Sequence, residues 1–164
     1  MTELERALTA DSAFAPPSHT LEGVSEELAH RRVAGAPHSI YQELWHTAFW
    51  VRMTFDWCTG IETPIPSHAS EGFPTEAQTE AESWSALCER FFGELEQAAA
   101  LTRDPELLLK PVRCPSLPGV PTRVMTVQEQ LESLAAHDAY HLGRIVLLRQ
   151  MTGDWPPKSG GFSW

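Results

Sequence analysis

Thr126-Val-Gln-Glu-Gln-Leu-Glu-Ser-Leu-Ala-Ala-His137-Asp-Ala-Tyr-His141 opens a long helical pattern near the C-terminus of the chain. Thr126 and Glu129 have the spacing of a capping box, in which each side chain bonds the other residue's backbone N–H. Val127, Leu131, Leu134, His141, Ile145 and Leu148 then recur at helical spacing, and Gly153 stands where a left-handed stop belongs. On a helix, residues four apart lie one turn apart on the same face. His137 and His141 can therefore aim ring nitrogens at one point, with His141 on the apolar stripe and His137 beside it. Neutral imidazole is the commonest side-chain metal ligand, so the pair makes half of a metal site. Taken alone, it reads equally well as two core-edge histidines satisfied by hydrogen bonds. A third ligand separates the two readings.

The chain has 164 residues, enough for one domain with a real core, and the domain is taken as 1–164. A net charge of −10 with no Lys/Arg cluster argues against nucleic acid or an anionic membrane as partner. Cys58, Cys88 and Cys114 are odd in number, widely spaced and without a Cys-x-x-Cys, which suits buried thiols in a reducing cytoplasm. The first residues lack the basic and apolar regions of a signal peptide, and no apolar run approaches membrane-spanning length.

From the N-terminus, Thr2 and Glu5 start a helical segment expected to reach about Ala10, which Pro16 and Pro17 interrupt. Thr20 to Arg32 resumes a helical tendency, with Ser25 as a cap. Gly35-Ala-Pro37 breaks the chain, and Ser39-Ile-Tyr-Gln42 launches a helix ending near Thr59, with Gly60 as its stop. This helix has two apolar stripes. Ile40, Leu44, Ala48, Val51 and Phe55 form one; His46, Phe49, Trp50, Met53 and Trp57 form the other. A helix apolar on two sides is buried on both, so the second face suits either the core or a homodimer partner. His46, framed by aromatics, is by itself more ordinary as a core histidine than as a ligand.

Ile61 to Pro74 reads as a loop, and Thr75-Glu-Ala-Gln78 caps a third helix expected to run unbroken to about Leu101. Its apolar positions are Ala77, Ala81, Trp84, Cys88, Phe91, Leu95 and Ala98, and Gly93 inside it costs a little. Asp104 to Pro121 carries five prolines and reads as a crossing connection. After the last helix, 157–164 reads as a loose tail. No strand-like alternation stands out. The expectation is an all-α chain: a four-helix bundle with long crossover connections, its first helix broken.

Bundle cores commonly hold metals between facing helices, and three histidine readings compete. A di-iron carboxylate site would use Glu27-x-x-His30 and Glu43-x-x-His46, but Gly35 and Pro37 separate them and the later helices supply no third Glu-x-x-His. A zincin-like site would need Glu where Asp138 stands, and no His or Glu follows to complete it. The third reading joins His46 to His137 and His141.

Two stretches carry a resemblance. His38-Ser-Ile-Tyr-Gln-Glu-Leu-Trp-His46-Thr-Ala-Phe-Trp50, and Thr126-Val-Gln-Glu-Gln-Leu through His137-Asp-Ala-Tyr-His141-Leu-Gly143, resemble, in order and separation, the DinB-like superfamily of small bacterial four-helix metalloenzymes. Arg144 departs from the Gln that usually follows the Gly in relatives. The resemblance implies one divalent transition metal on His46, His137 and His141, zinc first and nickel second, with open positions for water or substrate. It further implies a transferase that sets a low-molecular-weight thiol on an electrophilic small molecule, since a metal-bound thiol is a thiolate. A metal-dependent hydrolase and a non-catalytic metal-binding stress-response dimer are the alternatives. Gln42 and Arg144, each one turn from a histidine, are weaker candidates for orienting a ligand or neutralising an anionic substrate. Capping and ion pairing explain them as readily.

Overall fold

Helices carry most of the chain in the computed structural model, which describes residues 1–9 and 12–160. Three of them are long: α4 (Ile40–Cys58), α6 (Trp84–Ala100) and α8 (Val127–Thr152). Each starts where its sequence supplies a cap. Ser39 and Thr126 form complete capping boxes with Gln42 and Glu129, and Ser83 accepts from the Ala86 N–H. Gly153, at φ 76°, closes α8 in the left-handed conformation that glycine adopts at least cost.

Before α4 the chain forms α1 (Glu3–Thr9), α2 (Pro17–Thr20) and α3 (Glu26–His30), so the helical tendency of 20–32 resolves into separate short pieces. Ser25 caps α3 by accepting from the Leu28 N–H, while α1 packs against α6 and α8. Ala10, the expected end of the first segment, lies outside the described residues.

α4 lies between α6 and α8 and supplies the centre of the core. Leu44, Ala48 and Val51 meet Leu87, Phe91 and Ala98 of α6 and Leu131 and Ile145 of α8, all fully buried. The second apolar face of α4 meets the chain's own 61–74 segment. Phe73 stacks on His46, and Trp57 donates its indole N–H to the Thr63 carbonyl at 2.7 Å. Part of the second face is thus met within the chain, while Phe49 and Trp50 stay half-buried.

Two expectations need correction. The helix begun at Thr75 ends at α5 (Glu76–Ala81), which buries no residue, and α6 starts afresh at Trp84. At the break the Glu82 carboxylate takes a two-pronged bond from Arg90, and its carbonyl accepts from the Tyr41 hydroxyl at 2.8 Å. Second, the proline-rich connection holds a short helix α7 (Pro105–Leu108) and a strand. β1 (Pro111–Cys114) pairs antiparallel with β2 (Arg123–Thr126), with Pro111 opposite Thr126 and Cys114 opposite Arg123. Pro111 is tolerated as the first strand residue, and Val112 and Cys114 point inward. The fold is therefore mostly helical with one small two-stranded sheet. Ser159, within the expected tail, donates its backbone N–H to Glu22 at 3.2 Å. The rest of that tail, 161–164, lies outside the described residues. None of the described helices is long and apolar enough to cross a membrane.

Candidate metal centre

α4 and α8 run antiparallel: Glu43 meets His141 and Arg144, while His46 meets His137. His46, His137 and His141 converge there, each with one ring nitrogen within 4.8 Å of those of the other two. Ring centroids are 4.5 Å apart for His46–His141 and His137–His141, and 5.1 Å for His46–His137.

Each imidazole is turned by an acceptor on its Nδ1. His46 donates to the Gly72 carbonyl at 2.7 Å. This carbonyl is presented by the short 3-10 turn Ala69–Gly72, where a Cβ at position 72 would sit 3.2 Å from His46 Nδ1. His141 donates to Glu43 Oε2 at 2.7 Å, and His137 faces Asp138 Oδ1 at 3.4 Å. A carbonyl and a carboxylate can only accept, so Nδ1 carries the proton in His46 and His141 and Nε2 keeps its lone pair.

Electrostatics favour the same form. Burial pushes the His46 pKa down to about 4, with the Gly72 bond opposing and the other two histidines reinforcing the shift. His46 is thus neutral at neutral pH, as a metal ligand must be. Its Nε2 lies 3.2 Å from Nε2 of His137. With its proton on Nδ1, His46 turns the Nε2 lone pair toward His137, where a proton on His137 Nε2 or a shared cation can meet it. Metal–nitrogen bonds of about 2.0–2.1 Å in tetrahedral geometry place neighbouring ligand nitrogens about 3.3 Å apart. The three histidines could hold a metal ion.

The surroundings are aromatic and charged in layers. Phe73 stacks on His46 with ring centroids 4.2 Å apart, and His38 stacks on the far side of Phe73. Trp50 stands edge-on to His46 and His137 at 6.3 and 6.1 Å. Glu43, wholly buried, lies 2.7 Å from His141 and 2.8 Å from an Arg144 guanidinium nitrogen. Burial pushes the Asp138 carboxyl up to about 6, opposed by its contact with His137, and its Oδ2 has no partner among the described residues.

Gln42 and Arg144 are committed elsewhere. The Gln42 side-chain oxygen accepts from the Ser39 N–H at 3.1 Å and from Arg32, completing the cap of α4. Arg144 pairs with Glu43 and donates to the Tyr140 hydroxyl. The first Glu-x-x-His motif is remote from the cluster: Glu27 pairs with Arg31, and His30 with Glu26 and the Tyr41 ring.

Comparison with known families adds one finding. The family profile of the DinB superfamily matches residues 18–145. The chain belongs to the DinB superfamily. No curated protein and no solved structure matches it. Within this DinB chain the matched span runs from α2 into α8 and contains all three converging histidines. Sequence reasoning placed Glu43 only in a rejected di-iron pattern and missed it as the partner of His141. The available signal was a carboxylate set among Ile40, Tyr41, Leu44 and Thr47, where nothing but pairing could hold it.

Proposed function

We propose that this DinB-superfamily chain is a metal-dependent enzyme with a mononuclear site on His46, His137 and His141. The frame for that site is a four-helix bundle in which α1 and the short helices after it replace a long first helix. The observation that carries the reading is the convergence of three histidine ring nitrogens within 4.8 Å of one another, two of them 3.2 Å apart. Among the described residues no fourth His, Cys, Asp or Glu joins the cluster. Three protein ligands with a position left over is the pattern of catalytic sites rather than structural ones. Zinc is the first choice of metal and nickel the second.

When bound, such a metal acts as a Lewis acid that holds a thiol as its thiolate at neutral pH. The chain's own thiols do not supply that nucleophile. Burial pushes Cys58 and Cys88 up to about 12 and raises Cys114, so all three stay protonated, and none belongs to the cluster. A separate low-molecular-weight thiol fills the role in this reading, and thiol transfer to an electrophile is the leading reaction. Glu43 and Gly72 hold the rings of His141 and His46, while Phe73 and Trp50 limit water. Three unpaired thiols suit the cytoplasm as the working compartment.

Elemental analysis of untagged protein beside His46→Ala and His141→Ala tests the site. We expect about one equivalent of transition metal in the parent protein and loss in both variants. Failure of well-folded parent protein to take up zinc or nickel would sink the reading.

A further inference from the structure

Where α4 and α8 meet the β1–β2 hairpin lies a cavity of about 360 Å³ walled by Trp50, Trp57, Ile65, Leu117, Val120 and Met125. Two of its walls belong to the helices that carry the histidines. Trp50 follows His46 by one turn of α4 and stands edge-on to His137. Ser133, also lining the cavity, precedes His137 by one turn of α8.

Other observations give this space an occupant. A cavity near 150 Å³ already accepts benzene, so this one takes a substituted ring or a branched chain, within the usual range for small-molecule sites. The loop between the strands turns Val120 and Leu117 toward it, yet they remain 55% and 36% exposed. Arg123 stands among the lining residues, and its guanidinium makes no hydrogen bond and no close ion pair among the described residues, though Glu129 is near enough to feel its charge, in a chain of net charge −10. On the other side of the histidines, by contrast, Arg144 already pairs with Glu43.

We propose that this cavity binds the aromatic or branched-alkyl body of a small anionic substrate, with Arg123 on its negative group and its other end beside His137. The assignment deepens the metal-dependent reading and rests on it for the chemistry, but not for the binding. Trp50 and Trp57 supply the flat apolar walls. The 115–122 loop closes over the ligand's exposed side, and Arg123 selects for charge. The recognition is that of a hydrophobic carboxylate or sulfonate, not of a phosphate-rich cofactor, for which a single arginine is too little.

Fluorine NMR with para-trifluoromethylphenylacetate tests it, using full-length protein as apo, zinc-loaded and cobalt(II)-loaded forms. We expect binding to the apo protein, and broadening of the bound signal by cobalt(II) beyond that seen with zinc. Ser133→Trp, which fills the cavity from an exposed helix position, and Leu117→Asp should each weaken binding roughly tenfold while zinc uptake stays at the parent level. Arg123→Glu should weaken the acid and leave its neutral methyl ester unchanged. Undiminished binding in both Ser133→Trp and Leu117→Asp would overturn the assignment, as would cobalt(II) broadening no greater than zinc's. Probe binding with no metal uptake would defeat the metal reading and leave the pocket standing. Metal uptake with no probe binding would do the reverse.

Discussion

Glu43 is wholly buried, and a buried carboxylate is costly unless it is paired. His141 Nδ1 takes one oxygen and Arg144 the other. The arrangement fixes the tautomer of His141 and raises the basicity of the nitrogen that faces the cluster, as carboxylate partners do for metal-bound histidines. Glu43→Gln keeps the shape and removes the charge. We expect metal affinity to fall about ten- to a hundredfold, measured by competition with a chromophoric chelator, while the far-ultraviolet circular dichroism stays unchanged. Unaltered affinity would reduce Glu43 to a packing residue. His137 and His141 were legible in the sequence because helical periodicity alone puts them together. His46 needed the family resemblance, for its partners lie 91 and 95 positions away (137 − 46 and 141 − 46). The Gly72 carbonyl was not legible at all, because no local pattern tells which loop atom meets which ring.

Among the elements, the long helices were legible from their caps and stops, and the break between α5 and α6 was not. Apolar spacing continues through Ala81, Trp84 and Cys88, so the local signal favoured one helix. Tertiary partners overrode it: Ser83 caps a new helix and Tyr41 of α4 bonds the Glu82 carbonyl. The hairpin escaped notice because each strand has only four residues, too few to show alternation. Tyr41→Phe removes the bond at the break and should cost about 1 kcal/mol in urea unfolding at pH 8. Burial, with the Glu82 charge adding to it, pushes the Tyr41 phenol up to about 12 from its ordinary 10. A pKa raised in the folded state gives stability that is complete below pH 10 and lost as pH rises through 12. The gap between parent and Tyr41→Phe should therefore narrow between pH 10 and 12; a constant gap would show that the phenol ionises as freely folded as unfolded. Gly93 supplies the converse test within α6. It is exposed, and a Cβ built there meets nothing within 4 Å. Gly93→Ala should stabilise the chain by about 0.5–1 kcal/mol through lower unfolded-state entropy and better helix propensity, read as a higher urea midpoint at unchanged slope.

Across the whole molecule, one side chain ties both ends of the described chain to the core. Arg149, 1% exposed in the last turn of α8, donates to the Thr20 carbonyl at 2.7 Å and to Asp154 Oδ2 at 2.7 and 3.0 Å. Its guanidinium also lies 5.4 Å from the centre of the Trp155 ring. In sequence it reads only as a cation suited to a helix C-terminus, because its partners are a backbone carbonyl far upstream and a residue beyond the helix. Asp154→Ala removes the bonded counter-charge of the buried guanidinium and leaves only the more distant Glu22, and should cost about 1–2 kcal/mol. Arg149→Met in the Asp154→Ala background should recover part of that loss, since it removes the stranded charge and keeps the packing. The histidines lie more than two turns away along α8 (149 − 141 = 8 residues). Zinc uptake should therefore match the parent in every folded variant, which separates a stabilising clamp from a part of the centre. A cost below about 0.5 kcal/mol for Asp154→Ala would place this pair with ordinary surface ion pairs and return the anchoring of α2 to apolar packing alone.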